Sequence, residues 1–143
     1  MPDETLHLPL IHSVVAREKD TPGALLPILH AIQEGCGYVP DAAVPEIAHA
    51  LNLTRAEVYG VVSFYHDFRK EVEPRPVLKL CRAEACKARG VEALVPIADN
   101  QSRIKVEAIY CLGLCAVGPS AMVGEKVYAR LDGAKFKTLL EAM

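Results

Sequence analysis

The sequence predicts an α/β protein in which three helices precede a small layer of strands and helices. Two observations lead to this prediction. Apolar residues recur at helical spacing within residues 21–70, and they alternate at strand spacing in several segments of residues 71–143. We therefore divide the chain into an N-terminal extension at 1–20, a helical lobe at 21–70 and a mixed domain at 71–143.

The helical lobe is predicted from three stripes, each with one apolar face. The third stripe has an explicit start signal, because the Thr54 hydroxyl can cap the backbone while Glu57 reaches back from three residues later. The segment EGCGYVP follows the first stripe, and its Gly35, Gly37 and Pro40 predict a helix end and a turn. The stripes are Leu25, Ile28, Leu29 and Ile32; Val44, Ile47, Ala48 and Leu51; and Val58, Val61, Val62 and Tyr65.

The mixed domain follows a charged, proline-bearing connector, DFRKEVEPRP. VLKLC alternates like a strand that ends at Cys81, and IKVEAIYC predicts a second strand that arrives at Cys111. Between them, residues 86–95 predict a helix that ends near Pro96.

Two further elements close the predicted domain. SAMVGEKVYARL predicts a hairpin that turns at Gly124 and Glu125. DGAKFKTLLEAM predicts a last helix with Asp132 as its N-terminal cap.

The composition excludes several classes of protein. The chain has 143 residues, 51% hydrophobic and 24% charged, with a formal net charge of -2, as in ordinary globular proteins. Its basic residues form no run of five and tryptophan is absent, so a nucleic-acid surface is not expected. The N-terminus lacks the pattern of a signal peptide, and no apolar run reaches the roughly 18 residues of a membrane span. We therefore expect a cytoplasmic protein without structural disulfides.

The main chemical signal is two cysteine pairs, each placed where a predicted strand ends. CRAEACKARG holds Cys81 and Cys86 with four residues between them, and CLGLCAVGPS holds Cys111 and Cys115 with three. Functional groups gather on loops at strand ends in α/β sheets, so two such loops could present four sulfurs to one point.

Spacing alone leaves three interpretations open. Zinc sites with four cysteines most often use two-residue loops, a thioredoxin-type redox pair requires CxxC, and plant-type ferredoxins space their cysteines differently. A [2Fe-2S] cluster, a zinc ion and unligated thiols therefore remain possible. Four thiolates would make a cluster negative, and Gly113 and Gly118 would let backbone amides approach it. Arg82, Lys87 and Arg89 either offset that charge or lie on the solvated surface.

The wider pattern resembles a known family. LLPILHAIQEGCGYVP, LTRAEVYGVVSFYHDF and EAIYCLGLCAVGP, together with the cysteine spacing, resemble the thioredoxin-like [2Fe-2S] subunits that accompany the flavin subunit of complex I NADH dehydrogenase. The resemblance covers about residues 20–140. Within the family, FYHDFR, VLKLCRAEACKARG and YCLGLCAVGPSAM most resemble the gamma subunit of NAD-dependent, molybdenum-containing formate dehydrogenase.

The resemblance implies a fold, a cofactor and partners. It implies a thioredoxin-like [2Fe-2S] domain behind a three-helix lobe, with Cys81, Cys86, Cys111 and Cys115 as ligands of one cluster. It also implies a flavin and NAD-binding partner subunit and a large molybdenum-containing subunit that oxidises formate. FMN, NAD and the molybdenum cofactor would then lie only on partners. This chain would carry electrons near the flavin without an active site of its own. The alternatives are a subunit of an NAD-linked hydrogenase or of complex I, or a zinc-stabilised interaction module.

The remaining candidates have plainer interpretations. Cys36 lies outside the pairs and is expected to be a small buried apolar residue. The histidines show no ligand spacing, and the aromatic residues near the third stripe are expected to be core and partner-facing surface. The sequence contains no GxGxxG or P-loop motif, so the chain itself is not expected to bind NAD or ATP. The segment VPIADNQSRIK, within residues 95–105, is shorter than in related subunits, which puts any partner contact made there in doubt. The histidines mentioned above are His7, His12, His30, His49 and His66, and the aromatic residues are Tyr59, Phe64, Tyr65 and Phe68.

Overall fold

The computed structural model describes residues 4–143, and the chain forms two compact units that meet in sequence between Glu73 and Pro74. We call them the helical unit and the sheet unit. Within the described residues, no helix is both long enough and apolar enough to cross a membrane.

In the part of the helical unit that the structure describes, a short 3-10 turn, Glu4–His7, is followed by four α-helices. The helices are α1 (Leu8–Glu18), α2 (Leu25–Cys36), α3 (Ala43–Leu51) and α4 (Arg55–Phe64). Each contributes one apolar face to a shared core, as amphipathic helices do. That core includes Ile11, Val14, Val15, Ile28, Leu29, Ile32, Ala43, Ile47, Ala48, Val58, Val62 and Phe68.

The three helices predicted within residues 21–70 are present as α2, α3 and α4, and a fourth helix, α1, precedes them. Helix α1 lies in the segment predicted to be an extension, and its Ile11, Val14 and Val15 are buried in the core. These residues follow the spacing i, i+3, i+4, so the helical signal was present in the sequence. Pro9 falls in the first turn of α1, where a proline is tolerated because that N–H has no partner within the helix.

The local signals for helix ends are confirmed. At the start of α4, the Glu57 N–H donates to Thr54 Oγ1 at 3.1 Å, and the Thr54 N–H donates to Glu57 Oε2 at 2.7 Å. Helix α2 ends at Gly37, whose φ of 82° lies in the left-handed region that favours glycine. It runs beyond Gly35, so only the second glycine of EGCGYVP ends it.

The segment after α4 is tied back to α2 by one amide side chain. Gln33 Nε2 donates to the Asp67 carbonyl at 2.7 Å, and Gln33 Oε1 accepts from the Arg69 N–H at 2.7 Å. The Val39 N–H also donates to the Arg69 carbonyl at 2.8 Å. The start of the charged connector therefore belongs to the helical unit by hydrogen bonding.

The sheet unit is built on four strands. They are β1 (Val77–Cys81), β2 (Lys105–Ile109), β3 (Ala121–Val123) and β4 (Lys126–Tyr128), in the spatial order β2-β1-β3-β4. Strands β1 and β2 are parallel, whereas β1 with β3 and β3 with β4 are antiparallel. The predicted strands and the hairpin at Gly124 are confirmed, and together with the helices they make the predicted α/β fold class.

The predicted helix at 86–95 is wrong as a single element. The structure has a short helix, α5 (Glu84–Ala88), a 3-10 turn, Val91–Ala93, and a second short helix, α6 (Val95–Asp99). Gly90, with φ 94°, interrupts the helical path. Pro96 lies in the first turn of α6 and therefore accompanies the start of a helix, not its end.

The short segment before β2 closes through Gln101. Its Nε2 donates to the carbonyls of Ala98 at 3.1 Å and Ile104 at 3.0 Å, while its Oε1 accepts from the Ile104 N–H at 2.8 Å. The last helix, α7 (Gly133–Glu141), is capped by Asp132, whose carboxylate accepts from the Lys135 N–H at 2.8 Å, as predicted. Its Phe136 is fully buried in the core.

Candidate metal centre

The two cysteine-bearing loops leave the sheet side by side. Cys81 is the last residue of β1 and pairs with Ile109, the last residue of the parallel neighbour β2. The Arg82 N–H continues this pairing by donating to the Ile109 carbonyl at 2.9 Å. Because the carboxyl ends of parallel strands meet at one edge, the loop after β1 and the loop that begins near Cys111 start together.

The first pair is buried. The exposed fraction is 2% for both Cys81 and Cys86, which lies in α5. Desolvation by burial acts to raise the pKa of the Cys81 thiol, but hydrogen bonds from the backbone N–H groups of Ala83, Cys111 and Leu112 and from the Cys86 side chain together lower it. The sulfur of Cys81 is therefore surrounded by donors from both loops, which favours its thiolate form.

The second pair is exposed, and its sulfurs are close together. Cys111 Sγ and Cys115 Sγ lie 3.5 Å apart. The Gly113 N–H points at Cys111 Sγ, at 3.4 Å. A hydrogen bond from the Cys115 thiol to Cys111, followed by the charge of Cys111 and by desolvation, raises the pKa of the Cys115 thiol, because two neighbouring thiols do not readily ionise together. A metal ion would remove this conflict by neutralising both thiolates.

The backbone of the second loop adopts conformations that let it wrap tightly. Cys111 has φ 88° and Gly113 has φ 76°, both in the left-handed region. Gly118 was expected to allow a close approach, and a Cβ added there would lie 2.9 Å from Cys86 Sγ. The segment that follows Cys115 therefore packs directly on the buried cysteine.

Ser120 completes the surroundings of Cys86 and was not singled out from the sequence. Its Oγ lies 3.7 Å from Cys86 Sγ, and its carbonyl accepts from the Cys81 N–H at 2.9 Å. A serine beside a strand is ordinarily a turn or surface residue, so its residue type did not indicate a buried position next to Cys86. Its position immediately after a glycine and a proline in the cysteine loop was the one available signal.

The basic residues that could either offset negative charge or lie on the solvated surface are partly engaged with acidic partners. Arg82 forms a bidentate ion pair with Glu92, with its shortest contact at 2.8 Å. Lys87 lies 3.6 Å from Glu84 on the surface of α5. The aliphatic part of Arg89 lies beside Gly118, since an added Cβ there would be 3.4 Å from Arg89 Cδ. Any direct effect of Arg82 and Lys87 on the sulfurs is thus reduced by their acidic partners.

The donor set fits a metal-thiolate centre built from two pairs. Two sulfurs about 2.3 Å from one tetrahedral metal lie about 3.8 Å apart, close to the separation of Cys111 and Cys115. Cys81 and Cys86 are within hydrogen-bonding reach of each other, which makes a second pair. Over residues 4–143, no three histidine, cysteine, aspartate or glutamate side chains are grouped so that they could hold one metal ion.

The other candidates lie away from these pairs in the sequence and belong to the helical unit. Cys36 is half-buried against the helical core, and burial raises the pKa of its thiol. Phe68 is buried, whereas Tyr59, Phe64 and Tyr65 are exposed on and just after α4. Four of the five histidines are exposed and His7 is half-buried; His12 Nε2 lies 2.9 Å from Glu46 Oε2.

The chain is similar to subunits of redox complexes along most of its length. It is 31% identical over 146 aligned residues to the NADP-reducing hydrogenase subunit HndA of Solidesulfovibrio fructosivorans, covering 92% of this chain and 85% of that protein. It is 30% identical over 143 residues to an NADH-quinone oxidoreductase subunit of Rhizobium meliloti (strain 1021), with the same coverages of 92% and 85%.

A solved structure has a similar fold. The crystal structure of an NAD+-reducing [NiFe]-hydrogenase in the H2-reduced state matches 82% of this chain with a TM-score of 0.65 and 25% sequence identity. This chain spans only 21% of that hydrogenase chain.

The family follows from a match that covers nearly the whole chain. The sequence pattern of the thioredoxin-like [2Fe-2S] ferredoxins matches residues 11–143. The predicted thioredoxin-like fold, the [2Fe-2S] cofactor and the electron-transfer class are thereby confirmed. The ligand role of each cysteine and the formate dehydrogenase assignment remain predictions. This chain belongs to the thioredoxin-like [2Fe-2S] ferredoxin family.

Proposed function

We propose that Cys81, Cys86, Cys111 and Cys115 hold one [2Fe-2S] cluster, and that the chain is the electron-transfer subunit of an NAD-dependent formate dehydrogenase. The observation that supports the site most directly is the geometry of the two loops. Parallel strands bring their ends together, and the Cys111 and Cys115 sulfurs lie 3.5 Å apart. Family membership supplies the type of cluster.

The residues of this chain have distinct tasks in the proposed centre. The four thiolates bind iron, one pair to each metal, because four or three intervening residues are enough to bring two sulfurs onto one ion. Backbone N–H groups of Ala83, Cys111 and Leu112 donate to the Cys81 sulfur and stabilise its negative charge. The bound cluster supplies the ability to accept and return one electron.

We propose separate roles for the two parts of the chain, along the boundaries predicted from the sequence. The domain at 71–143 carries the cluster, whereas the helical lobe at 21–70, behind the extension at 1–20, docks on the flavin and NAD-binding partner. Exposed Tyr59 and Phe64 on α4 support this docking role, because aromatic side chains are enriched at protein interfaces.

The parent complex is the finer part of the proposal. The gamma subunit of formate dehydrogenase is supported by the resemblance of FYHDFR and the two cysteine loops. The names of the relatives described above support an NAD-linked hydrogenase or a complex I module as the second candidate. In both cases the formate- or hydrogen-oxidising centre would lie on another subunit.

The test is purification of the chain with its native partners, followed by assay with three electron donors. Formate-dependent reduction of NAD+ by the complex supports the formate dehydrogenase assignment, and a molybdenum content in the large subunit would accompany it. Hydrogen-dependent reduction, or NADH oxidation linked only to quinone, would contradict that assignment and favour the second candidate.

A zinc-stabilised interaction module remains the contrasting class for the site itself. Thiolate pairs at this sulfur separation also suit zinc. Absorbance separates the two, because a [2Fe-2S] protein is reddish-brown and bleaches on reduction whereas a zinc protein is colourless. A colourless chain that contains zinc after anaerobic reconstitution with iron and sulfide would contradict the proposed site.

A further inference from the structure

Ser120 is a buried polar residue beside the proposed cluster. Its exposed fraction is 1%, and in the described part of the chain it is the one polar or charged residue that is buried. A buried hydroxyl needs a hydrogen-bond partner, since leaving it unpaired is unfavourable. The partner that the geometry offers is Cys86 Sγ, 3.7 Å from Ser120 Oγ.

Ser120 contacts both members of the buried cysteine pair. Its carbonyl accepts from the Cys81 N–H at 2.9 Å, which fixes the serine at the end of β1. Its side chain then reaches Cys86, with Gly118 packed against the same sulfur. The hydroxyl is thus held in place by the backbone, as a residue that tunes a metal ligand must be.

The direction of the hydrogen bond follows from the state of the sulfur. In a free thiol, either atom could donate the proton. A cysteine that ligates iron has lost its proton, so only the Ser120 hydroxyl can donate and the Cys86 sulfur must accept. Hydrogen bonds to cluster sulfurs stabilise the more negative, reduced state and raise the reduction potential.

We propose that Ser120 is a positioning residue that raises the reduction potential of the cluster by donating its hydroxyl hydrogen bond to the Cys86 sulfur; this rests on the proposed function. On reduction one electron enters the centre, supplied by the partner's reduced flavin in the complex or by a chemical reductant in a titration. The hydroxyl proton stays on Ser120 Oγ, and no covalent bond forms or breaks. The hydrogen bond is stronger in the reduced state because the sulfur then carries more negative charge.

The primary test is a redox titration of the reconstituted full-length chain, followed by electron paramagnetic resonance. We expect Ser120→Ala to keep the cluster and to shift its midpoint potential to a more negative value. Loss of a hydrogen bond of typical strength should lower the reduced-to-oxidised ratio at a fixed potential by a factor of about two to about ten. The control is Thr138→Ala, which removes an exposed hydroxyl bonded within α7 and should leave the potential unchanged.

A second pair of variants distinguishes the effect of the hydroxyl from the effect of packing. This test applies even if Ser120→Ala fails to hold a cluster. Ser120→Thr and Ser120→Val introduce side chains of nearly equal volume, and only threonine keeps the donor. We expect the threonine variant to have the less negative potential, or to keep a cluster that the valine variant loses. Equal potentials in these two variants, or a wild-type potential in Ser120→Ala, would overturn the inference. A wild-type chain that holds no [2Fe-2S] cluster would instead refute the proposed function.

Discussion

The two cysteine pairs differ in how the chain supports them. Cys81 and Cys86 are part of the hydrophobic core of the sheet unit, whereas Cys111 is exposed on a loop and Cys115 is exposed at the start of a short 3-10 turn, Cys115–Val117. The first pair lies on regular elements, namely the end of β1 and helix α5. The second pair depends on a loop whose first cysteine has a left-handed backbone.

For the proposed centre, this difference implies that the two pairs have separate roles. The buried pair excludes water from one side and receives hydrogen bonds from fixed backbone donors, which defines the environment of its sulfurs. The exposed pair brings its sulfurs to the surface, as the proposed exchange of electrons with a partner subunit requires. The following predictions test this contrast, from the largest expected effect to the smallest.

Removing one cysteine from either pair should abolish the cluster. We expect Cys86→Ala and Cys115→Ala each to lose the visible absorbance and the bound iron and sulfide, because in the proposed centre each would leave one iron with a single cysteine. Cys36→Ala is the matched control, since Cys36 lies in the helical unit, and it should keep both. Retention of a full cluster in Cys86→Ala or Cys115→Ala would show that the pairs do not share one centre.

Crowding the buried pair should impair the centre only in part. In Gly118→Ala the new methyl group would lie 2.9 Å from Cys86 Sγ, so the second loop or the Cys86 side chain must shift, and we expect reduced cluster content after reconstitution. Gly133→Ala is the control, because its Cβ would meet Ile97 at an ordinary 3.5 Å. Equal iron content in the two variants would contradict the close packing of the loop on Cys86.

Without a cluster, the two pairs should contribute unequally to folding. Cys86→Ala removes a buried side chain, and we expect it to lower the free energy of unfolding of the cluster-free chain by about 1 to 2 kcal/mol. Cys115→Ala removes an exposed thiol and should leave that free energy unchanged. Urea denaturation under reducing conditions measures both, and equal losses would contradict the contrast in burial.

The smallest effect concerns the helical unit alone. In Gly60→Ala an added Cβ meets no atom within 4 Å, and helical glycine costs conformational entropy, so we expect stabilisation of roughly 0.5 to 1 kcal/mol. Gly37→Ala should instead destabilise, because its φ of 82° disfavours alanine. Cluster content should be unchanged in both variants, and a loss in Gly60→Ala would show that the helical unit influences the centre.

Local signals made most of the fold predictable. Periodicity located α2, α3, α4 and the strands, and the Thr54–Glu57 motif fixed the start of α4 because both partners are close in sequence. Helix α1 was missed although Ile11 and Val14 have the right spacing. The prediction of one helix at 86–95 was wrong because Gly90 adopts a left-handed conformation, which a glycine permits but does not require.

The site was predictable to the level of residue types and spacing. The strand ends identified where Cys81 and Cys111 would lie, because parallel neighbours share an edge. The unequal burial of the two pairs depends on long-range packing, which spacing does not encode. The contact between Ser120 and Cys86 spans 34 residues, so only the folded chain could reveal it.

The most direct test of the central claim is electron paramagnetic resonance of the reduced, reconstituted chain, with iron and sulfide analysis of the same sample. The account predicts two iron and two sulfide ions per chain, as in the [2Fe-2S] family, and a spin-half signal that disappears in both Cys81→Ala and Cys115→Ala. A silent sample that contains one zinc ion, or a signal that survives either substitution, would contradict it.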